Sequence, residues 1–515
     1  MLLNKRVVIA GILLAAGALI AADQTGKRRV EASIRFLADD LLEGRGTPSR
    51  GLDIAALYLA NELRAAGWQP ANGDSYFQPY SLKTFSPEKA NWKISVNGVP
   101  LNSKDFFFVP IGMDPARMPA RYDLVFAGYG IYAPERNVDD FAGIDIRGKG
   151  VVSLLGAPWQ LDPNVVHAYD RAIGKAVHVG VRGGSLLVYV SEEVAAPAAS
   201  PPSAEIAVLR GYASFPLAFL PEFGGKPTMG SCPMLFLTPA AFDKTLAEAA
   251  GGDYAHWKSN LAGAKFSAQP LKGSIEIKAA ENSAQEGKAS NVVAMLRGRD
   301  PALQNEWVVL TAHFDHLGLR EVPPGQDGIF NGADDNASGT AAVLEIARRL
   351  ASAKPPERNV LAVLTSGEEM GLLGSAYYSI HPIVPNDRVV VNINVDMVGR
   401  SAGTVYSIAA GCDEMQTKAA EIGKQLGISV LPDPFPSWRL IYFVDSYHFA
   451  RLNIPYIQFI TEFHRDYHQP TDEPDRIRYE DLARIVEVIY GLADFYAQGG
   501  PKPVFKRPTW FLTAN

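Results

Sequence analysis

Trp307-Val308-Val309-Leu310-Thr311-Ala312, running straight into His313-Phe314-Asp315-His316, decides the fold. An apolar run of strand length ends on an imidazole, a carboxylate and a second imidazole. Residues 360–365, 389–395 and 455–460 are runs of the same kind, short, apolar and rich in β-branched side chains, as expected of buried strands. Helices are predicted after Asn336, after Gly371 and over 480–497. Strand followed by helix, repeated, implies a mostly parallel sheet covered on both faces, so the fold class is α/β, with a three-layer α/β/α domain.

Outward from this core the texture changes. Leu52, Ala56, Leu59 and Leu63 recur at helical spacing and stop at Gly67, which opens a globular domain. From about residue 124 short strand-like runs and turn residues take over, with a helix over 165–179 and a loop at 195–202. The division read from the sequence is therefore 23–123, an inserted smaller β-rich lobe over 124–285, and 286–515 carrying the chemistry. Residues 1–22 read as a signal peptide: Lys5 and Arg6 precede the apolar run 7–20, and Ala21 and Ala22 follow it. That run falls short of the ~20 residues that span a bilayer. The expected mature chain is secreted or periplasmic, with no stable membrane association after cleavage; an uncleaved anchor is the alternative.

Composition excludes several classes. With 47% hydrophobic and 20% charged residues, a large core forms and disorder is excluded. The 49 Lys and Arg against 55 Asp and Glu give a net charge of −6, and no basic block exceeds Lys27-Arg28-Arg29, so no nucleic-acid partner is expected. The only cysteines, Cys232 and Cys412, form no C-x-x-C pair and offer no thiolate zinc site. Whether they pair with each other stays open.

The chemistry lies at the strand ends. His313 follows the first strand, Glu368 and Glu369 the second, Asp396 the third, and His468 lies in a loop after the fourth. Asp334 and Asp335 stand just before a predicted helix. Ligands of open α/β sheets gather beyond the carboxyl ends of the strands, so these segments can converge on one rim. Imidazoles and carboxylates without thiolates suit Zn²⁺, and their surplus points to two metals sharing a carboxylate and a water. Two Zn²⁺ would balance three ligating carboxylates and one hydroxide, leaving a further carboxylate as a base. Each residue has a plainer reading: a hydrogen-bonded core histidine, a carboxylate at a helix start, or a turn or loop residue. Those readings leave unexplained why all of them fall on successive strand ends.

The ordered set TAHFDHLG from Thr311, NGADDNASG from Asn331, SGEEMGLLGS from Ser366, NVDMVGR from Asn394 and DYHQPTDEPDRI from Asp466 resembles the co-catalytic zinc aminopeptidases of bacterial leucyl aminopeptidase and aminopeptidase S type. Glutamate carboxypeptidase and the transferrin receptor are distant relatives of that family. RFLADDLLEGRGT from Arg35 extends the likeness, and VFAGYGIYAPERNVDDFAGIDIRGK from Val125 makes the inserted lobe similar to a protease-associated domain. The resemblance implies two Zn²⁺ per chain, with His313 and Asp396 on one, Glu369 and His468 on the other, and Asp335 as the bridge. It implies Glu368 as the general base that activates a metal-bridging hydroxide, Tyr467 as a hydrogen-bond donor to the oxyanion, and Asp315 as the residue that orients His313. Asp334 receives no ligation, and His316, His448 and His464 read as satisfied histidines. Peptides are the implied substrates, through removal of N-terminal residues, with an apolar pocket of Trp438, Ile441 and Phe443. A glutaminyl cyclase, a carboxypeptidase on acidic peptides using Arg400 or Arg439, and a non-catalytic receptor-like relative are the alternatives. Oligomeric state and natural substrate stay open.

Overall fold

The structure, a computed structural model, describes residues 24–512 except 87–90, 112, 114–119, 134–136, 158–170, 196–202, 204–205, 207–208, 211–212, 214–216, 225–227, 262–265, 280–283 and 435. The signal-peptide stretch and nearly all of the loop expected at 195–202 lie outside the described residues. The chain forms two compact units: Met1–Tyr80 with Ala289–Pro434 and Asp445–Arg507, and Ser81–Lys288 with Phe435–Val444 and Pro508–Asn515.

The first unit holds residues 77–80 of strand β1 (Phe77–Phe85), residues 289–296 of β2 (Gln285–Leu296), and the strands β3 (Trp307–His313), β4 (Asn359–Thr365), β5 (Val389–Val395), β6 (Thr404–Ile408), β7 (Ser429–Pro432) and β8 (Tyr456–Ile460), in the order β1-β2-β4-β3-β5-β8-β6-β7. The central β4, β3, β5 and β8 run parallel. The antiparallel neighbours β2 and β6 flank them. Every residue of β3, β4 and β5 is buried, which a strand shows only when both faces are covered. On one face Val309, Leu361 and Val363 pack with Tyr378 of α3 (Leu373–Ile380) and Phe449 of α5 (Ser446–Ala450). The intervening residues Val308, Leu310 and Ala312 point the other way, and α2 (Gly339–Ser352) and α6 (Tyr479–Ala497) pack on β3, with α1 (Arg50–Ala65) beside α2 and α4 (Asp413–Leu426) beside α6. This is the three-layer arrangement that the strand–helix alternation predicts. His313 stands opposite Thr365 in the ladder, so β3, β4 and β5 release His313, Glu368 and Asp396 at one edge.

The second unit holds a mixed sheet in the order Val99–Pro100, Trp92–Val96, Gln269–Ala279, Ala120–Phe126, Gly150–Leu154, Leu186–Val190, Met234–Leu237, Phe106–Val109, with an apolar cluster on each face. Its limits differ from the expected 124–285. Trp92–Val96 and Phe106–Val109 pair antiparallel with Gln269–Ala279 and Met234–Leu237, which draws residues 81–123 into this unit and away from the N-terminal part of the first. The helix expected over 165–179 appears as Ala172–Val181, its predicted start lying outside the described residues.

Asp140 is buried in this unit, accepts the Ile131 N–H at 2.8 Å, and is pushed up from 3.8 to about 6, mainly by burial. A carboxyl raised on folding stabilises the fold below its unfolded value and loses that contribution as pH rises through its folded value. Asp140→Asn is therefore expected to flatten the loss of stability between about pH 4 and about pH 6 and to leave stability at pH 4 unchanged; urea midpoints at several pH values check it. Among the described residues no helix is long and apolar enough to cross a membrane.

Candidate metal centre

The residues released at the strand ends converge on the two oxygens of Asp335. His313 Nε2 lies 3.3 Å from Asp335 Oδ1 and 3.3 Å from Asp396 Oδ1. His468 Nε2 lies 3.1 Å from Asp335 Oδ2 and 3.3 Å from Glu369 Oε2. Two groups of donors thus share one carboxylate. Asp335 sits in the irregular turn Ala333–Ser338 that precedes α2. His468 is placed by a left-handed backbone with φ of 56°, and its ring stacks on Tyr467 with centroids 3.8 Å apart.

The charges of the cluster support one another. Burial opposes ionisation throughout, yet Glu368 and Asp396 raise His313 well above the ordinary imidazole value, and Glu369 with Asp335 raises His468 to about 10. Reciprocally, His316, His313 and His468 hold Asp335 well below the carboxylate range, and His468 with His316 brings Glu369 to about 2. Glu368 goes the other way: burial, then Glu369, Asp396 and Asp445, lift it well above the usual value against His313. The carboxylates thus demand nearby positive charge.

A pair of Zn²⁺ ions fits this donor set. Ligand atoms on one tetrahedral zinc stand about 3.3 Å apart for bonds of about 2.0–2.1 Å, the spacing found within each group. Glu369 Oε1 and Asp396 Oδ1 are buried without a hydrogen-bond partner among the described residues, an expensive state unless an ion takes them up. The donors are imidazole and carboxylate only; Cys232 and Cys412 are buried and free.

Behind the donors lies a second layer, of which the sequence reading singled out Asp315 but not Arg45 or Asp472. Asp315 accepts the Glu368 N–H at 3.2 Å and the Thr47 hydroxyl at 3.1 Å, and its backbone carbonyl stands 3.3 Å from His313 Nδ1. Arg45, wholly buried between two glycines, donates to the carbonyls of Phe314, Asn331 and Gly332 at 2.8, 2.7 and 3.1 Å, tying the His313 segment to the Asp335 turn. Asp472 accepts the N–H groups of Asp334 and Asp335 at 2.9 and 3.0 Å and faces Arg400, which also pairs with Asp466. The His468 loop and the Asp335 turn are therefore one assembly. Asp472→Ala would leave two buried amides without their acceptor and remove a carboxylate that faces Arg400 at 3.5 Å, and is expected to cost about 2–4 kcal/mol, read from the denaturant midpoint. Gly332 has φ of +58°, and a Cβ there would meet Asp335 O at 2.1 Å and the His316 ring at 2.5 Å. Gly332→Ala is accordingly expected to cost more than about 2 kcal/mol in the same measurement.

The other expected residues fall as follows. Asp334 spends its carboxylate on the Gly399 N–H at 2.7 Å and on His464 Nε2 at 3.2 Å. Arg400 is engaged with Asp466 and Asp472. Arg439 is buried in the second unit with Nη1 2.9 Å from His178 Nδ1. Trp438, Ile441 and Phe443 belong to the second unit as well, where Ile441 is buried and the Arg171 guanidinium covers the Trp438 ring. His316 and His448 depart from expectation: both are fully buried, yet neither ring nitrogen of either has a hydrogen-bond partner among the described residues.

Residues 291–493 match the profile of Peptidase family M28. A "Probable zinc metalloprotease" of Leptosphaeria maculans is 36% identical over 116 residues, 22% of this chain and 26% of that protein. Aminopeptidase YwaD of Bacillus subtilis is 31% identical over 134 residues, 26% of each. The chain thus spans about a quarter of the length of these curated relatives. In fold, it is similar to an aminopeptidase from Aneurinibacillus sp. strain AM-1, with a TM-score of 0.51 and 18% identity over 94% of this chain and 96% of that one.

Proposed function

We propose that this chain, whose residues 291–493 match the profile of Peptidase family M28, is a member of that family and a two-zinc aminopeptidase that removes N-terminal residues from peptides in the periplasm or outside the cell. The observation that carries the reading is the sharing of Asp335 between His313 with Asp396 and His468 with Glu369, while Glu368, next in sequence to one of these donors, stays outside both groups. His313, Asp396, Asp335, Glu369 and His468 would hold the two Zn²⁺. When bound, the metals supply Lewis acidity to the scissile carbonyl and acidify a water.

The remaining steps belong to the chain's own side chains. Glu368, kept basic and anchored through its backbone N–H to Asp315, takes the proton of the attacking water and returns it to the departing amine. Tyr467, stacked on His468, donates its hydroxyl to the developing oxyanion. Asp315, beside His313 Nδ1, fixes the tautomer that offers Nε2 to the metal side. The second unit is read as a protease-associated domain on the strength of residues 125–149, and export rests on the basic start and apolar run of residues 1–22.

The test is hydrolysis of aminoacyl-p-nitroanilides and their N-acetylated forms by the mature protein. Cleavage of free-amine substrates alone is expected. Equal cleavage of blocked substrates would overturn the exopeptidase reading, and release of C-terminal residues or cyclisation of N-terminal glutamine in place of aminopeptidase turnover would move the assignment to those reactions.

A further inference from the structure

His316 is the one imidazole at the centre without a role in the reading above. It is wholly shielded from solvent, and its only hydrogen bond among the described residues is made by its backbone, N–H to Arg45 O at 3.2 Å. A buried imidazole without an aligned hydrogen bond is costly, and His316 differs from His448, which is buried in the same state, in standing beside the donor oxygens of the cluster. Its Nδ1 faces the cluster: 2.7 Å from Glu369 Oε1 and 3.7 Å from Asp335 Oδ2. Despite its closeness the contact to Glu369 is not aligned as a hydrogen bond, and both atoms remain unpartnered. Two lone pairs that converge without facing each other mark a common point between them.

The oxygens sort the donors into two sets. Asp335 Oδ1 looks to His313, whereas Asp335 Oδ2 looks to both His468, at 3.1 Å, and His316. The two oxygens of Glu369 divide in the same way, Oε2 toward His468 and Oε1 toward His316. The two rings approach from different directions, with centroids 5.7 Å apart and planes at 67°. Room for the His316 ring comes from Gly332, where a side chain would come within 2.5 Å of it. His316, Asp335 and Glu369 offer three ligand atoms all within 4.8 Å of one another.

We propose that His316 is an additional metal ligand, so that the half-site of Glu369 and His468 carries two imidazoles and the half-site of Asp396 carries one. This rests on the two-metal reading and deepens it. The nitrogen-richer half-site then discriminates against Mg²⁺ and Mn²⁺ more strongly than its neighbour, since imidazole suits zinc, cobalt and nickel.

The deciding experiment counts ligating imidazoles in the Co²⁺-loaded full chain by proton NMR, where each histidine bound to high-spin cobalt contributes one strongly shifted, solvent-exchangeable N–H signal. Three such signals are expected, with one lost in His316→Gln, a variant whose fold is checked by circular dichroism. Competition with a chromophoric chelator should then show one of two zinc equivalents weakened by at least about tenfold, since even residues one step removed from a metal cost that much. Two signals, unchanged in His316→Gln, would overturn the assignment while leaving the metal centre standing. A weakened zinc equivalent with the signal count unchanged would also overturn it, by making His316 an orienting partner of Glu369. No shifted signal in the wild type would remove the two-metal reading itself.

Discussion

Replacing Glu368 by glutamine is expected to lower kcat by about 10²–10⁴-fold while the zinc content stays that of the wild type. The physical ground is a division of labour between adjacent carboxylates. Glu369 is held at about 2, with burial opposed by His468 and His316, as befits an anion committed to cations. Glu368 is driven well above the usual carboxylate value by burial and by Glu369, Asp396 and Asp445, which is the state of a group able to take up a proton. Glutamine keeps the shape and removes the proton acceptor. Steady-state kinetics beside atomic emission of the purified protein separates the two effects; a variant that loses zinc in step with activity would make Glu368 a ligand instead of a base.

Asp335→Ala is the more drastic change. Asp396 and His468 each serve one group of donors, but Asp335 faces His313 through one oxygen and His468 through the other. Its removal therefore strikes both half-sites and strips three buried imidazoles of a counter-charge they share. The expected result is loss of all zinc on dialysis and a fall in kcat/KM of more than about 10³-fold, against retention of one equivalent in Asp396→Ala. Thermal stability should fall as well, because each bound ion contributes about 4 kcal/mol when present at a thousand times its dissociation constant. Calorimetry with and without added zinc reads this directly: the wild type should shift and Asp335→Ala should not.

Much of the centre was legible because its residues stand at the ends of apolar runs. The run of residues 307–312 continues one position further as β3, and Asp396 directly follows β5, so the rim of the sheet could be drawn before the strands were seen. The signal failed where position depends on contacts distant in the chain. Arg45 sits in a short turn and reaches carbonyls at 314, 331 and 332; nothing local marks it except a charged residue enclosed by glycines. Asp472 follows His468 by four residues, but its partners are amides at 334 and 335. His316 shares its motif with His313, and spacing alone does not say which imidazole turns toward Glu369. The limits of the second unit were missed for a related reason: antiparallel pairing of residues 92–96 with 275–279 leaves no periodic trace connecting the two.

The most direct measurement of the central claim is zinc bound per chain against turnover of leucyl-p-nitroanilide, as zinc is returned to chelated protein. Activity should be absent after chelation and reach its full value as the second equivalent binds. Full activity in the presence of chelator, or two zinc ions bound with no cleavage of any free-amine substrate, would contradict it.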